Sequence, residues 1–109
     1  MRSLKITEAE FQAQVIELLQ HTHWKIYHTW KSIHSVAGFP DIIAIREGEL
    51  LVIELKSAKG KLTEAQKLWL EAFQLTCARV FVWKAGNDDD WNEAVAVAVL
   101  QGKIIKGDR

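Results

Sequence analysis

The stretch GFPDIIAIREGELLVIELK, Gly38 to Lys56, carries two runs of Ile, Leu, Val and Ala on either side of Glu47-Gly48. A Gly-containing pair between apolar runs is the signal of a two-residue β-hairpin turn, weaker here than Asn-Gly but the only one this segment offers. With Glu47-Gly48 at the tip, Arg46 faces Glu49, Ile45 faces Leu50, Ile43 faces Val52, and Asp41 faces Glu54. Both faces of this pair are apolar. Ile42, Ala44, Ile53 and Leu55 share one face, and Ile43, Ile45, Leu50 and Val52 share the other. A hairpin of that kind is expected at the centre of a sheet, covered on both sides.

That register concentrates charge where charge is costly. Residues directly opposite each other on paired strands have Cβ atoms about 4.5–5.5 Å apart, and residues two apart on one strand share a face. Asp41, Glu54 and Lys56 therefore converge at one end of the hairpin. Two carboxylates placed there repel each other and lose hydration, and Lys56 offers only one compensating charge. A divalent cation resolves the imbalance. Hard oxygen ligands suit Mg²⁺ or Mn²⁺, which accept one or two carboxylates together with water and phosphate oxygens. The Leu55 carbonyl is a further candidate ligand, and Lys56 is placed to hold or activate a bound water. The competing reading is a solvated charge cluster at a strand end.

Outward from the hairpin, Thr7-Glu8-Ala9-Glu10 forms a capping box, and Phe11, Val15, Leu18 and Leu19 follow at helical spacing, which predicts a first helix from about Thr7 to His21. Lys25 to Trp30 is rich in β-formers and reads as a strand, with Lys31 to Ala37 as the loop after it. Thr63 starts a second helix whose stripe is Ala65, Leu68, Trp69, Ala72, Phe73 and Leu75, ending near Thr76. Val80 to Trp83 reads as a short strand. The three aspartates at 88–90 cap WNEAVAVAVL as a last helix, and QGKIIKGDR is either a short strand or a loose tail. The order is helix, three strands, helix, strand, helix. It predicts one α/β domain over residues 1–109, a mixed β-sheet flanked by helices.

The composition narrows the function classes. The 109 residues are enough for one core, and 14 basic residues against 14 acidic give no bulk attraction to nucleic acid. Lys56, Lys59, Lys61 and Lys67 nevertheless cluster after the hairpin. No apolar run is long enough to span a membrane and no secretory signal is legible, so the expected location is the cytoplasm and no membrane partner is expected. The single cysteine, Cys77, is expected to be a small core residue. The five tryptophans fall mostly in periodic segments and are expected in core packing.

Pro40-Asp41 followed across the hairpin by Glu54-Leu55-Lys56 resembles the signature of the PD-(D/E)xK nuclease superfamily. Gly38-Phe39-Pro40-Asp41, Gly60-Lys61-Leu62-Thr63 and Gln66 resemble its VRR-NUC branch, in particular the small stand-alone versions of phages and bacteria. The similarity runs from about Thr7 to Trp83. It implies a restriction-endonuclease-like fold and metal-dependent hydrolysis of phosphodiester bonds in DNA, in a bacterial or phage-infected cell. Asp41 and Glu54 resemble the metal ligands, with Leu55 adding its carbonyl, and Lys56 resembles the residue that orients or deprotonates water. The family also places a glutamate on the first helix. Glu8 shares the stripe of Phe11 and Val15 and is the preferred candidate, whereas Glu10 is explained by capping. Gln66 resembles a family glutamine beside the active site.

Lys59 and Lys61 are candidate phosphate contacts, with Lys31, His34 and Ser35 in a loop expected to flank the cleft. By analogy with Holliday-junction resolvases, the expected assembly is a homodimer meeting through the C-terminal helix or the Trp83 region, and the favoured substrate is branched DNA. Three alternatives stand beside this one. They are a non-catalytic DNA-binding module that keeps the fold, a zinc site from His21, His23, His28 and His34, and a paired-carboxylate glycosidase.

Overall fold

The structure, a computed structural model, describes residues 6–29 and 36–100. The chain runs α1 (Glu8–His21), β1 (Lys25–His28), β2 (Ile42–Arg46), β3 (Glu49–Lys56), α2 (Glu64–Gln74), β4 (Arg79–Lys84) and α3 (Asp88–Leu100). The sheet order is β1-β2-β3-β4; the first two pairings are antiparallel and β3 pairs parallel with β4. A parallel neighbour needs a crossover, and α2 supplies it. This is the expected mixed sheet flanked by helices.

The hairpin has the expected register, with Arg46 opposite Glu49, Ile45 opposite Leu50 and Ile43 opposite Val52. Glu47 and Gly48 have φ of 50° and 86°. Two successive positive φ values make a type I′ turn, whose twist matches that of the strands it joins. Both helices that follow a threonine are closed by reciprocal capping boxes, Thr7 with Glu10 and Thr63 with Gln66.

Alternation along the strands separates two faces. Ile42, Ala44, Leu51, Ile53 and Leu55 pack with Phe11, Val15 and Leu19 of α1 and with Ala94, Val97 and Ala98 of α3. Arg46 ties this layer together: its guanidinium lies 4.4 Å from the Trp24 ring and donates to the carbonyls of Thr22 (2.6 Å) and Ala98 (3.0 Å). On the opposite face α2 sets Leu70 near Val80 and Val82.

Several expectations need correction. The second face is not covered throughout: α2 packs against β4, and Tyr27 is 60% and Ile45 51% exposed. Leu68 and Leu75, placed on the buried stripe of the second helix, are exposed, and Leu70, absent from that stripe, is the buried residue of α2. Cys77 follows the end of α2 and is exposed. Trp83 is fully buried, its indole nitrogen donating to Glu93 at 2.8 Å, so it cannot form a docking surface. Trp24 is buried with it, whereas Trp69 and Trp91 are only half-buried. β1 ends at His28. Trp30, the loop residues Lys31, His34 and Ser35, and the tail from Gln101 lie outside the described residues. Among the described residues no helix is long and apolar enough to cross a membrane.

Candidate active site

The ladder between β2 and β3 stops at Ile42 and Ile53, so Asp41 is not a strand residue opposite Glu54 as the register alone implied. Its backbone carbonyl faces β1 and accepts from the Thr29 N–H at 2.8 Å, continuing that register by one residue, and the Thr29 hydroxyl donates to the Pro40 carbonyl at 2.7 Å. The Asp41 carboxylate then occupies the place a continuing strand would fill, accepting from the Leu55 N–H through Oδ2 at 2.7 Å. In an extended strand the N–H and C=O of one residue leave the same edge, so the Leu55 carbonyl also lies on the Asp41 edge. The expected convergence survives by a different route.

Glu54 is 2% exposed. Its Oε2 accepts from Gln66 Nε2 at 2.9 Å, while its Oε1 is buried with no hydrogen-bond partner. Burial, and next the negative charge of Asp41, push the Glu54 carboxyl from an ordinary 4.5 up to about 8; Lys56 opposes the shift, and a contact with Asp41 and the charge of Glu8 add to it. At neutral pH such a group keeps its proton unless a cation is bound beside it. Among the described residues no three His, Cys, Asp or Glu side chains are grouped to hold a metal ion. The carboxylate donor set is thus the pair Asp41 and Glu54. That suits a hard cation which keeps waters and takes phosphate oxygens, and the orphaned Oε1 is the atom such an ion would satisfy.

Gln66 connects three parts of the site. Its Oε1 accepts from the Thr63 N–H at 2.8 Å, closing the capping box, and lies 3.4 Å from Lys56 Nζ. The first turn of α2 is held in turn by Gly38. At φ +81°, a Cβ on Gly38 would come 2.5 Å from the Ala65 carbonyl carbon, so the Gly38–Asp41 segment lies directly against the helix bearing Gln66. Gly60 leaves room in the same way for the Lys56 stem, whose Cε would be 3.2 Å from an added Cβ.

Five predicted residues, Glu8, Asp41, Glu54, Lys56 and Gln66, are thereby brought to one end of the sheet. Glu10 is consumed by the cap, accepting from the Thr7 N–H at 2.9 Å. Lys59 and Lys61 are exposed in the loop beyond Lys56. Among the described residues His21, His23 and His28 form no metal-holding group, His21 being exposed and 3.7 Å from Glu17; His34 lies outside the described residues. Sequence reasoning misses Thr29 and the Gly38–Ala65 contact. A threonine at a strand end and a glycine before an aromatic are signals too common to single out.

An open α/β sheet with an Asp, Glu and Lys gathered at the hairpin end defines a nuclease-type architecture. The sequence model of the VRR-NUC domain matches residues 4–87, and the chain belongs to that family, a PD-(D/E)xK nuclease family. Among solved structures the chain is similar to one described as a VRR_NUC domain protein, with 24% identity and a TM-score of 0.67 over 94% of this chain and 93% of that one. Among curated proteins nothing matches.

Proposed function

We propose that this chain is a Mg²⁺- or Mn²⁺-dependent DNA endonuclease with Asp41, Glu54 and the Leu55 carbonyl as metal ligands. The observation that carries the proposal is the buried, hydrogen-bonded Glu54 with one oxygen unpartnered beside Asp41 and Lys56. When bound, the ion supplies charge to polarise the phosphoryl oxygen and lowers the pKa of a bound water. The chain's own residues do the rest. The Lys56 ammonium, steered by Gln66 and given space by Gly60, stabilises charge developing on the phosphate or its attacking water. Gln66 fixes the plane of the Glu54 carboxylate. Glu8 adds negative charge on the α1 side and orients water there. Lys59 and Lys61 hold the phosphates beyond the scissile bond, and Lys31 is proposed for the same role.

Branched DNA is the proposed substrate and a homodimer the proposed assembly, with the exposed Val95 and Val99 of α3 as its apolar contact. The protein is proposed to work in the cytoplasm as a single domain.

The test incubates the protein and Lys56→Ala with linear, flap, fork and four-way DNA in Mg²⁺ or Mn²⁺. Wild-type protein should cleave, with forks or junctions ahead of linear duplex, and the variant should be at least about a hundredfold slower. DNA binding without cleavage, together with no Mn²⁺ uptake by calorimetry, would establish the rival reading of a non-catalytic binding module.

A further inference from the structure

Beside the carboxylate cluster lies a groove of about 510 Å³ lined, among the described residues, by Glu8, Ala9, Gln12, Ala13 and Ile16 of α1 and by His28 and Thr29 at the end of β1. Its volume falls in the range of roughly 300–1,000 Å³ typical of small-molecule sites. Residues 8, 12 and 16, and 9 and 13, are four apart and so stack along one side of the helix. The two alanines let a flat group approach the α1 backbone, with Ile16 extending the apolar wall. Gln12, His28 and Thr29 add an amide, an imidazole and a hydroxyl. One end carries the Glu8 carboxylate, which repels a phosphate.

We infer that the groove receives a nucleobase of the DNA strand, that of a nucleotide adjoining the scissile phosphate. The inference rests on the nuclease reading above and extends it to how the strand is held. Continuity places the groove there. Glu8 is one of its walls and is close enough to influence Glu54, and Thr29 on the other side is hydrogen-bonded to the carbonyls of Pro40 and Asp41. A strand whose phosphate sits at Asp41 and Glu54 must leave the site, and along this side Ala9 and Ala13 offer a low apolar wall beside groups able to form hydrogen bonds. A base meets each of those conditions: its face lies on Ala9 and Ala13, and its edge reaches the Gln12 amide, a group suited to paired contacts with a base edge. An unpaired or splayed base fits such a groove, which agrees with a preference for branch points.

The test scans one abasic residue along a forked oligonucleotide and measures binding by fluorescence anisotropy in Ca²⁺, alongside cleavage in Mg²⁺. For wild type, affinity should fall roughly tenfold when the missing base is at one position next to the cleavage point, the scale of a single base contact. Ala13→Leu, a good helix former at an exposed site, fills the groove. It should bind intact DNA about tenfold more weakly and lose its sensitivity to the abasic position, with melting temperature and Mn²⁺ binding unchanged. Gln12→Ala should show a smaller loss of the same kind.

A flat abasic scan, or wild-type affinity in Ala13→Leu, overturns the inference. Position-dependent binding without cleavage would leave the groove in place and reject the nuclease reading. Absence of DNA binding would remove both.

Discussion

Gln66 donates to Glu54 through Nε2 at 2.9 Å while its Oε1 accepts from the Thr63 N–H at 2.8 Å, so one side chain caps α2 and orients a buried carboxylate. The two jobs can be separated. Gln66→Glu keeps the capping box, since Glu and Gln both serve at that position, but replaces the donor facing Glu54 with another acid. Its melting temperature should stay near wild type while cleavage falls by about tenfold or more and Mn²⁺ binding changes. Gln66→Ala should lose the cap as well, at about 1 kcal/mol. Equal activity in Gln66→Glu and wild type would mean the Glu54 contact is incidental.

Glu54, pushed up to about 8 chiefly by burial and then by Asp41, makes the metal-free protein sensitive to pH in a definite sense. The folded state retains a proton that the unfolded chain releases above its ordinary 4.5, so the stability from this group is complete below that value and is lost as pH rises through about 8. In chelator, wild-type melting temperature should therefore fall between pH 5 and pH 8.5 by about 5 °C or more relative to Glu54→Gln, which does not titrate. Mn²⁺ must displace the proton, so its apparent affinity should rise about tenfold per pH unit up to about pH 8. Parallel melting curves for the two proteins would show that Glu54 ionises normally.

Gly38 has neither the room nor the backbone for a side chain, having φ +81° and Ala65 backbone atoms 2.5 and 2.7 Å from where a Cβ would sit. Gly38→Ala should lower stability by about 1–2 kcal/mol from the left-handed conformation alone. The clash adds to this and moves Asp41 relative to Gln66. Cleavage should drop more than stability explains, with weaker Mn²⁺ binding measured well below the melting temperature. Ala65→Gly added to the same chain removes only the Ala65 Cβ contact and should not restore it. Unchanged melting and metal binding in Gly38→Ala would show that this contact is loose.

The hairpin and its charges were legible because a period of two and a turn pair fix register, and register fixes which side chains meet. The capping role of Glu10 was legible for a related reason, since Thr-x-x-Glu ahead of an apolar stripe marks a helix start. Coverage was not legible. Ile45 and Val52 have the same character in sequence, yet Val52 is buried and Ile45 is in solvent, because a helix of 11 residues spans only part of a four-stranded sheet. Asp41 leaves the β2–β3 ladder with its carboxylate bonded to the Leu55 N–H that a continuing strand would have met, while its carbonyl keeps the β1 register with Thr29. That competition between a side chain and a strand partner depends on an approach no local pattern encodes. Leu70 was missed beside Leu68 because an apolar run on a helix fits more than one phase.

The turn that sets the register is not built from its best residues. Glu47 holds φ 50° ahead of Gly48 at φ 86°, and a non-glycine residue other than Asn or Asp carries a cost there of roughly 1–2 kcal/mol. Asn-Gly is the favoured pair for a type I′ turn. Glu47→Asn should therefore stabilise the protein by up to about 1 kcal/mol, raising the melting temperature by roughly 4–8 °C for a domain near this size. The tip lies at the end of the hairpin opposite Asp41 and Glu54, so cleavage and Mn²⁺ binding should be unchanged. Glu47→Val, β-branched and disfavoured at positive φ, should move stability the other way. If both variants melt with the wild type, the turn does not hold the strands in register, and pairing across Ile43 and Val52 alone must do so.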